Sequence, residues 1–324
     1  SPLGLLTLAA CGGGGASDGS SSGSGGGITV NGKVQKGPLS DAFVFLDYNG
    51  DELHDDGTGA NALEPSVRSD ASGDFSLIAT QENFSIIAIT DDSTVDTSSG
   101  VVLDGVVLKA PLSSSMLTPA TTLMEEGNLT AAEVIKVLGL PDTIDPLTFD
   151  AFAVGVDTNQ ALAVEKASHQ IMSVINAFAA AAEGSGASQV DSFQVALNSV
   201  VKVMKVRVAA DTEINFSDAI DLADIKSQVI KDVVAVANVN TTAFNAMADG
   251  TATAILNVNV KINEVTDIGS ASAKNVFSTA QVLNVQVKSG VAAEVTAAGT
   301  GAIDFTVASA VAAAVNNLSP TDIT

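Results

Sequence analysis

The chain has 324 residues, with 14 basic and 37 acidic side chains and a net charge of −23. Such a surface excludes nucleic acid, which needs a basic face, and is repelled by anionic lipid headgroups; it suits a solvated, salt-tolerant or cation-binding exterior. Hydrophobic residues make up 46%, enough for a core, but there is one Tyr, no Trp and only two His. Material for packing is plentiful and groups for chemistry are few.

The first segment is an apolar run, Leu3 to Ala10, closed by Cys11, the only cysteine. A lone cysteine excludes an intrachain disulfide and a zinc site built on two or more thiolates. The run reads as the end of a secretory signal with small residues at its cleavage site. Leu8-Ala9-Ala10-Cys11 resembles the lipobox of bacterial lipoproteins. That resemblance implies cleavage before Cys11, lipidation of Cys11, and, with Gly12 following, export to the outer membrane. Residues 12–27 are a Gly/Ser stretch, the composition of a flexible tether. No initiator Met or charged segment precedes the run, so the sequence reads as truncated at its front. No run reaches the ~18 uninterrupted apolar residues of a spanning helix.

From Ile28 to about Ala110 the period becomes that of strands. Ile28, Val30 and Val34 alternate with polar residues, as do Phe75 and Leu77, and Phe84, Ile86 and Ala88. Phe43-Val44-Phe45-Leu46 and Val106 to Leu108 complete the set, with turns at Gly37-Pro38, Asn49-Gly50 and Ser72-Gly73. Several short strands at this spacing predict a small antiparallel sandwich over residues 28–112.

Within it, Asp47, Asn49, Asp51 and Asp55 place oxygen donors at positions 1, 3, 5 and 9 of a loop, and Leu53 offers its carbonyl at position 7. Ca2+ takes six to eight such oxygens. An EF-hand loop has Gly at position 6 and Glu at position 12, where this chain has Glu52 and Thr58. Glu64, reached by looping out residues 57–63, supplies the bidentate acid instead. The same residues also read as an acidic hairpin turn without metal. Gly32-Lys33-Val34-Gln35-Lys36-Gly37-Pro38-Leu39, the run Ala42 to Asp47, Glu64-Pro65, and Ser69-Asp70-Ala71-Ser72-Gly73-Asp74-Phe75 resemble carboxypeptidase-regulatory-like or B-type adhesin domains. The resemblance implies a prealbumin-like sandwich, often with a calcium loop, in a bacterial surface protein.

Thr118-Pro119 opens a helical region, Thr as cap and Pro at the first helical position. Val164, Ala167, Ile171, Val174, Ile175 and Phe178 form one face of a helix near residues 159–182. Phe193, Leu197, Val200, Val201, Met204 and Val208 form another, with Met204 as core. His169 falls half a turn from the Ile171 face and is expected at the surface. Leu256 to Asn263 and Val285 to Lys288 alternate like strands, but their Ala-rich surroundings favour helix. The predicted helical domain spans residues 113–318. The end, Asn317 to Thr324, resembles the opening strand of cadherin-like repeats, so residues 319–324 read as the start of a further domain.

No G-x-S-x-G elbow, H-E-x-x-H or phosphate-binding loop occurs, and two His leave little for a catalytic triad. The lack of Trp and the single Tyr argue against a dedicated carbohydrate cleft. The sequence therefore predicts an α+β multidomain, non-enzymatic, lipid-anchored protein of the cell surface, acting as a calcium-stabilised scaffold or adhesin stalk. An alternative is a binding module that holds a polymer, peptide or small ligand in a groove of the helical domain. Its partners would be the membrane, through the lipid anchor only, and an extracellular protein or polysaccharide.

Overall fold

The alternation read in residues 28–34 becomes strand β1 (Ile28–Val34), with Val30 and Val34 buried and the intervening residues turned outward. The computed structural model describes residues 27–102 and 105–298; the lipobox with Cys11, residues 12–26 of the tether and the cadherin-like end lie outside them. Nine further strands follow: β2 (Leu39–Ser40), β3 (Phe43–Asp47), β4 (Ser66–Arg68), β5 (Asp74–Ala79), β6 (Ser85–Ile89), β7 (Val95–Asp96), β8 (Val101–Val102), β9 (Val107–Ala110) and β10 (Met116–Leu117). They form sheets of order β10-β1-β5, β2-β7-β8 and β4-β3-β6-β9. All pairings are antiparallel except β1 with β10, where Lys33 and Val34 lie parallel to Met116 and Leu117. The pairings within residues 28–112 are antiparallel, as expected; the parallel partner, β10, falls in the stretch expected to be helical. The chain after β9 turns at Pro111 and returns alongside β1 before entering the first helix.

The helices are α1 (Pro119–Gly127), α2 (Ala131–Val137), α3 (Thr158–Gly184), α4 (Gln189–Ala209), α5 (Ala219–Val233), α6 (Thr241–Glu264) and α7 (Ala271–Thr296). Each begins after a Thr, Asp, Ser or Asn whose side chain accepts a first-turn backbone N–H. At α1 the cap is Thr118, reciprocated by Thr121, with Pro119 at the first helical position. The strand-like alternation of Leu256 to Asn263 loses to a longer period. Phe244, Met247, Ala248, Thr251, Ile255, Val258 and Ile262 form one buried stripe over the whole of α6.

Helix α3 packs against α4, α6 and α7, while α1 packs on β9 and α4. One hydrophobic cluster runs without a break from Val44, Leu46, Phe75 and Ile86 in the strands to Ile171, Phe178, Leu197 and Phe244 in the helices. Phe178, on the face read from the sequence, is wholly buried. Phe178→Ala should therefore cost about 3–5 kcal/mol, measured by urea unfolding of the full chain. Thr118→Ala, which removes a buried cap, should cost about 1 kcal/mol.

Candidate functional site

Two polar assemblies are built into this frame. The first is the loop from Asp47 to Glu64, which joins β3 to β4. Asp47 and Glu64 sit at its two ends and are both buried. Asp47 accepts the backbone N–H groups of Asn49 and Gly50 at Oδ1 (3.1 and 2.7 Å) and of Glu52 at Oδ2 (3.0 Å). Glu64 accepts those of Tyr48 at Oε1 (2.7 Å) and Asp55 at Oε2 (3.0 Å). Asn49 lies between the remaining acids: its amide donates to Asp51 Oδ2 (3.0 Å) and Asp55 Oδ2 (2.9 Å). The structure places the five predicted side chains in one loop as two separate sets: Asp47 and Glu64 on backbone N–H groups at its ends, and Asn49 with Asp51 and Asp55. Leu53 gives its N–H to Asp51 Oδ1 at 2.9 Å, and its side chain is exposed. Glu52, at the position where an EF-hand has Gly, takes the left-handed conformation (φ 63°) that Gly favours. Among the described residues, no three His, Cys, Asp or Glu side chains are grouped so as to hold a metal ion. The carboxylates here are spent on backbone N–H groups and on the Asn49 amide.

The loop also covers apolar surface. Val44 and Leu46 face the main core, whereas Phe45 points to the other side of β3 and is buried nonetheless. His54 packs edge-on to Phe43 and Phe45, with ring centroids 5.1 and 5.5 Å away, and its Nε2 lies 3.0 Å from the Glu64 carbonyl oxygen. The loop reaches the helices through Glu52. The buried Lys109 on β9 pairs with Glu52 and with Glu126 of α1, both at 2.6 Å.

The second assembly was not read from the sequence. Lys36 and Gly37 follow β1, Asp96 lies on β7, and Glu165 and His169 are one turn apart on α3; all four side chains with polar groups are buried where strands meet helices. Lys36 Nζ lies 3.8 Å from Asp96 Oδ2, and Glu165 Oε2 accepts the Gly37 N–H at 3.1 Å. Asp96 Oδ1 is held by the Ser98 N–H and hydroxyl (2.9 and 2.6 Å) and the Ser99 N–H (3.2 Å). His169 is 0% exposed, which overturns its expected surface position. Its ring stacks on Phe277 of α7, with centroids 3.7 Å apart and planes 6° from parallel. Helix α3 is enclosed by neighbours on more than its apolar stripe, so half a turn from Ile171 is still inside. The legible signal was composition: between Thr158 and Gly184 the only charged residues are Glu165, Lys166 and Glu183. A helix with so few charges is buried nearly all round.

Comparison with protein-family models, with curated proteins and with solved structures finds no match for the chain. The chemistry of these assemblies therefore rests on their own geometry.

Burial pushes the Glu165 carboxyl up to about 8, and the neighbouring Asp96 charge adds to the shift. The Gly37 N–H and the Lys36 charge oppose it. Burial, with Lys36 nearby, holds His169 well below its ordinary 6.5. Both groups are thus neutral near pH 7, which removes the cost of two further buried charges. Neither His169 ring nitrogen, nor Glu165 Oε1, has a hydrogen-bond partner among the described residues.

The two shifts act on stability with opposite signs. Glu165 holds its proton more tightly when folded, so stability should fall as pH rises from 4.5 through about 8. His169 holds its proton less tightly when folded, so stability should fall as pH drops below 6.5. Urea unfolding across pH 4–9 should show Glu165→Gln losing less stability than wild type toward pH 9. Parallel curves for the two proteins would show that Glu165 titrates normally. His169→Ala should cost on the order of 2–4 kcal/mol, because it empties a fully packed site against Phe277.

Proposed function

We propose that the chain is a non-enzymatic, lipid-anchored module of the bacterial cell surface, at the outer membrane or outside it, that serves as a scaffold or adhesin stalk. In this reading its strands form a prealbumin-like sandwich, Cys11 carries the lipid, and Ca2+ is the cofactor of the loop from Asp47 to Glu64. The observation that carries the reading is the tie between strands and helices. They share one hydrophobic core, and polar links cross their boundary, among them Gly37 to Glu165, Ser85 to Glu125 and Lys109 to Glu126, while Lys33 and Gln35 hold Asp150 in the loop before α3. A unit fastened in this way transmits force without hinging, which is what a stalk has to do.

For calcium, the presence of Asp47, Asn49, Asp51, Asp55 and Glu64 in one loop, with Asn49 bridging Asp51 and Asp55, supports the assignment. Binding would exchange the Asn49 amide protons on Asp51 and Asp55 for the ion and turn the Asn49 oxygen inward. A module of this type would bind with a Kd of roughly 10⁻⁴–10⁻³ M. At one hundred times Kd the ion would add about 2.7 kcal/mol to stability. Millimolar Ca2+ should then raise the melting temperature of the full chain, and Mg2+ should raise it less. Asp51→Ala with Asp55→Ala should abolish the increment while keeping the Asp47 and Glu64 contacts. An unchanged melting temperature at saturating Ca2+ would leave the loop as a plain acidic cover over Phe45.

Expressed in a bacterium behind a complete signal, the protein should carry an acylated Cys11 by mass spectrometry. Cys11→Ala should release it from the membrane fraction. A mature protein starting at another residue, without acyl chains, would overturn the anchored reading.

A further inference from the structure

A cleft of about 190 Å³ opens between α3, α4 and α7, beside the loop at Gly105. Its floor is apolar, formed by Ala179, Ala180 and Phe193. Its walls carry four amides, Asn176, Gln189, Gln281 and Asn284, and among the described residues none of them has a side-chain hydrogen-bond partner. Two of the cleft's oxygens are buried without partners: Oγ of Ser192, a residue 1% exposed, and Oδ1 of Asn284. Buried polar atoms are satisfied by something in nearly all proteins, and leaving one bare is costly. At the rim, Lys288 and Glu183 pair at 2.5 Å, so the charged groups of the cleft neutralise one another.

We propose that this cleft binds a neutral polyhydroxylated ligand the size of a single sugar ring. An amide offers two donors and an acceptor, the set that a vicinal pair of hydroxyls matches. Ala179, Ala180 and the edge of the core at Phe193 give the ring's C–H groups an apolar base. The volume lies below the roughly 300 Å³ at which drug-sized sites begin, which suits one ring and not a chain of them. An anion is disfavoured by the net charge of −23 and by the occupied Lys288. A peptide would need a long groove or a free strand edge to satisfy its backbone, whereas the walls here are helices. The scarcity of aromatic residues, which spoke against a dedicated carbohydrate cleft, limits the affinity: a site that relies on amides without broad stacking should bind with a Kd on the order of 1 mM. The proposal is independent of the scaffold reading and of calcium.

The test is a titration of the ¹⁵N-labelled full chain with glucose, N-acetylglucosamine and myo-inositol, and with an N-acetyl dipeptide amide as comparison. At least one polyol should shift the side-chain amide signals of Asn176, Gln189, Gln281 and Asn284 along a saturable curve. Asn284→Ala should weaken that binding at least about tenfold, the effect of losing a good hydrogen bond. Ser192→Ala should weaken it too while holding or raising the melting temperature, since it removes a bare buried hydroxyl. Ala179→Leu, which fills the floor, should abolish binding. Absence of a saturable shift with every polyol at tens of millimolar would overturn the proposal. So would binding that is unchanged in Asn284→Ala, or a response to the dipeptide amide alone.

Discussion

The contact on which the arrangement of strands and helices depends is the hydrogen bond from the Gly37 N–H to the Glu165 carboxyl. It closes a turn on the strand side with a side chain from the N-terminal third of α3, and it is buried from water. Gly37 has a positive φ of 65°, and a Cβ there would fall 2.1 Å from Asp96 Oδ1 and 2.2 Å from Ser98 Oγ. Only glycine lets the backbone come this close to the acids, so one residue type at one position allows the two parts to dock. The acids in turn are tolerable in the interior because one has a lysine beside it and the other keeps its proton.

Such a cluster is a poor way to gain stability, since apolar side chains of the same volume would pack with less desolvation. Its value is directional. A hydrophobic surface lets α3 slide or rotate against the strands, whereas the Gly37 link accepts one position. The same logic applies at Asp150, whose Oδ2 takes Lys33 at 2.8 Å and whose Oδ1 takes Gln35 at 2.7 Å. Asn259 repeats it between helices: buried on α6, it meets Ser173 of α3 and the Phe216 carbonyl at 2.7 Å. Polar groups fix the register and the continuous apolar cluster supplies the driving force.

Much of the fold could be read from local pattern, because local pattern caused it. The caps at Thr118 and the stripes through Phe178 and Phe193 reappear as α1, α3 and α4. The alternation of Phe75 and Leu77 reappears as a half-buried strand. Spacing also anticipated that Asn49, Asp51 and Asp55 would meet, since nearby residues in a tight loop converge whatever surrounds them. What could not be read came from long range. The parallel partner of β1 lies more than 80 positions away. Burial of Phe45 depends on His54 folding back over it, and burial of His169 on α7 arriving from the far end of the chain. Periodicity describes one helix against one neighbour, and α3 has at least three.

The acidic loop shows how two demands meet in one segment. A cover over Phe43 and Phe45 needs a fixed backbone, and in a segment without ladder bonds that requires carboxylates to receive the N–H groups. Asp47 and Glu64 do this from buried positions at its ends, where charge-assisted bonds to N–H groups are strong. Asn49, Asp51 and Asp55 hold one another farther out, toward solvent. The inner pair is thus committed to holding the loop, while the outer three can change partner without uncovering Phe45. A cation that engages the outer set would tighten a loop that is already shaped, at little cost in chain entropy. Because Glu52 joins the same loop to Lys109 and α1, any such tightening would be felt where the strands meet the helices.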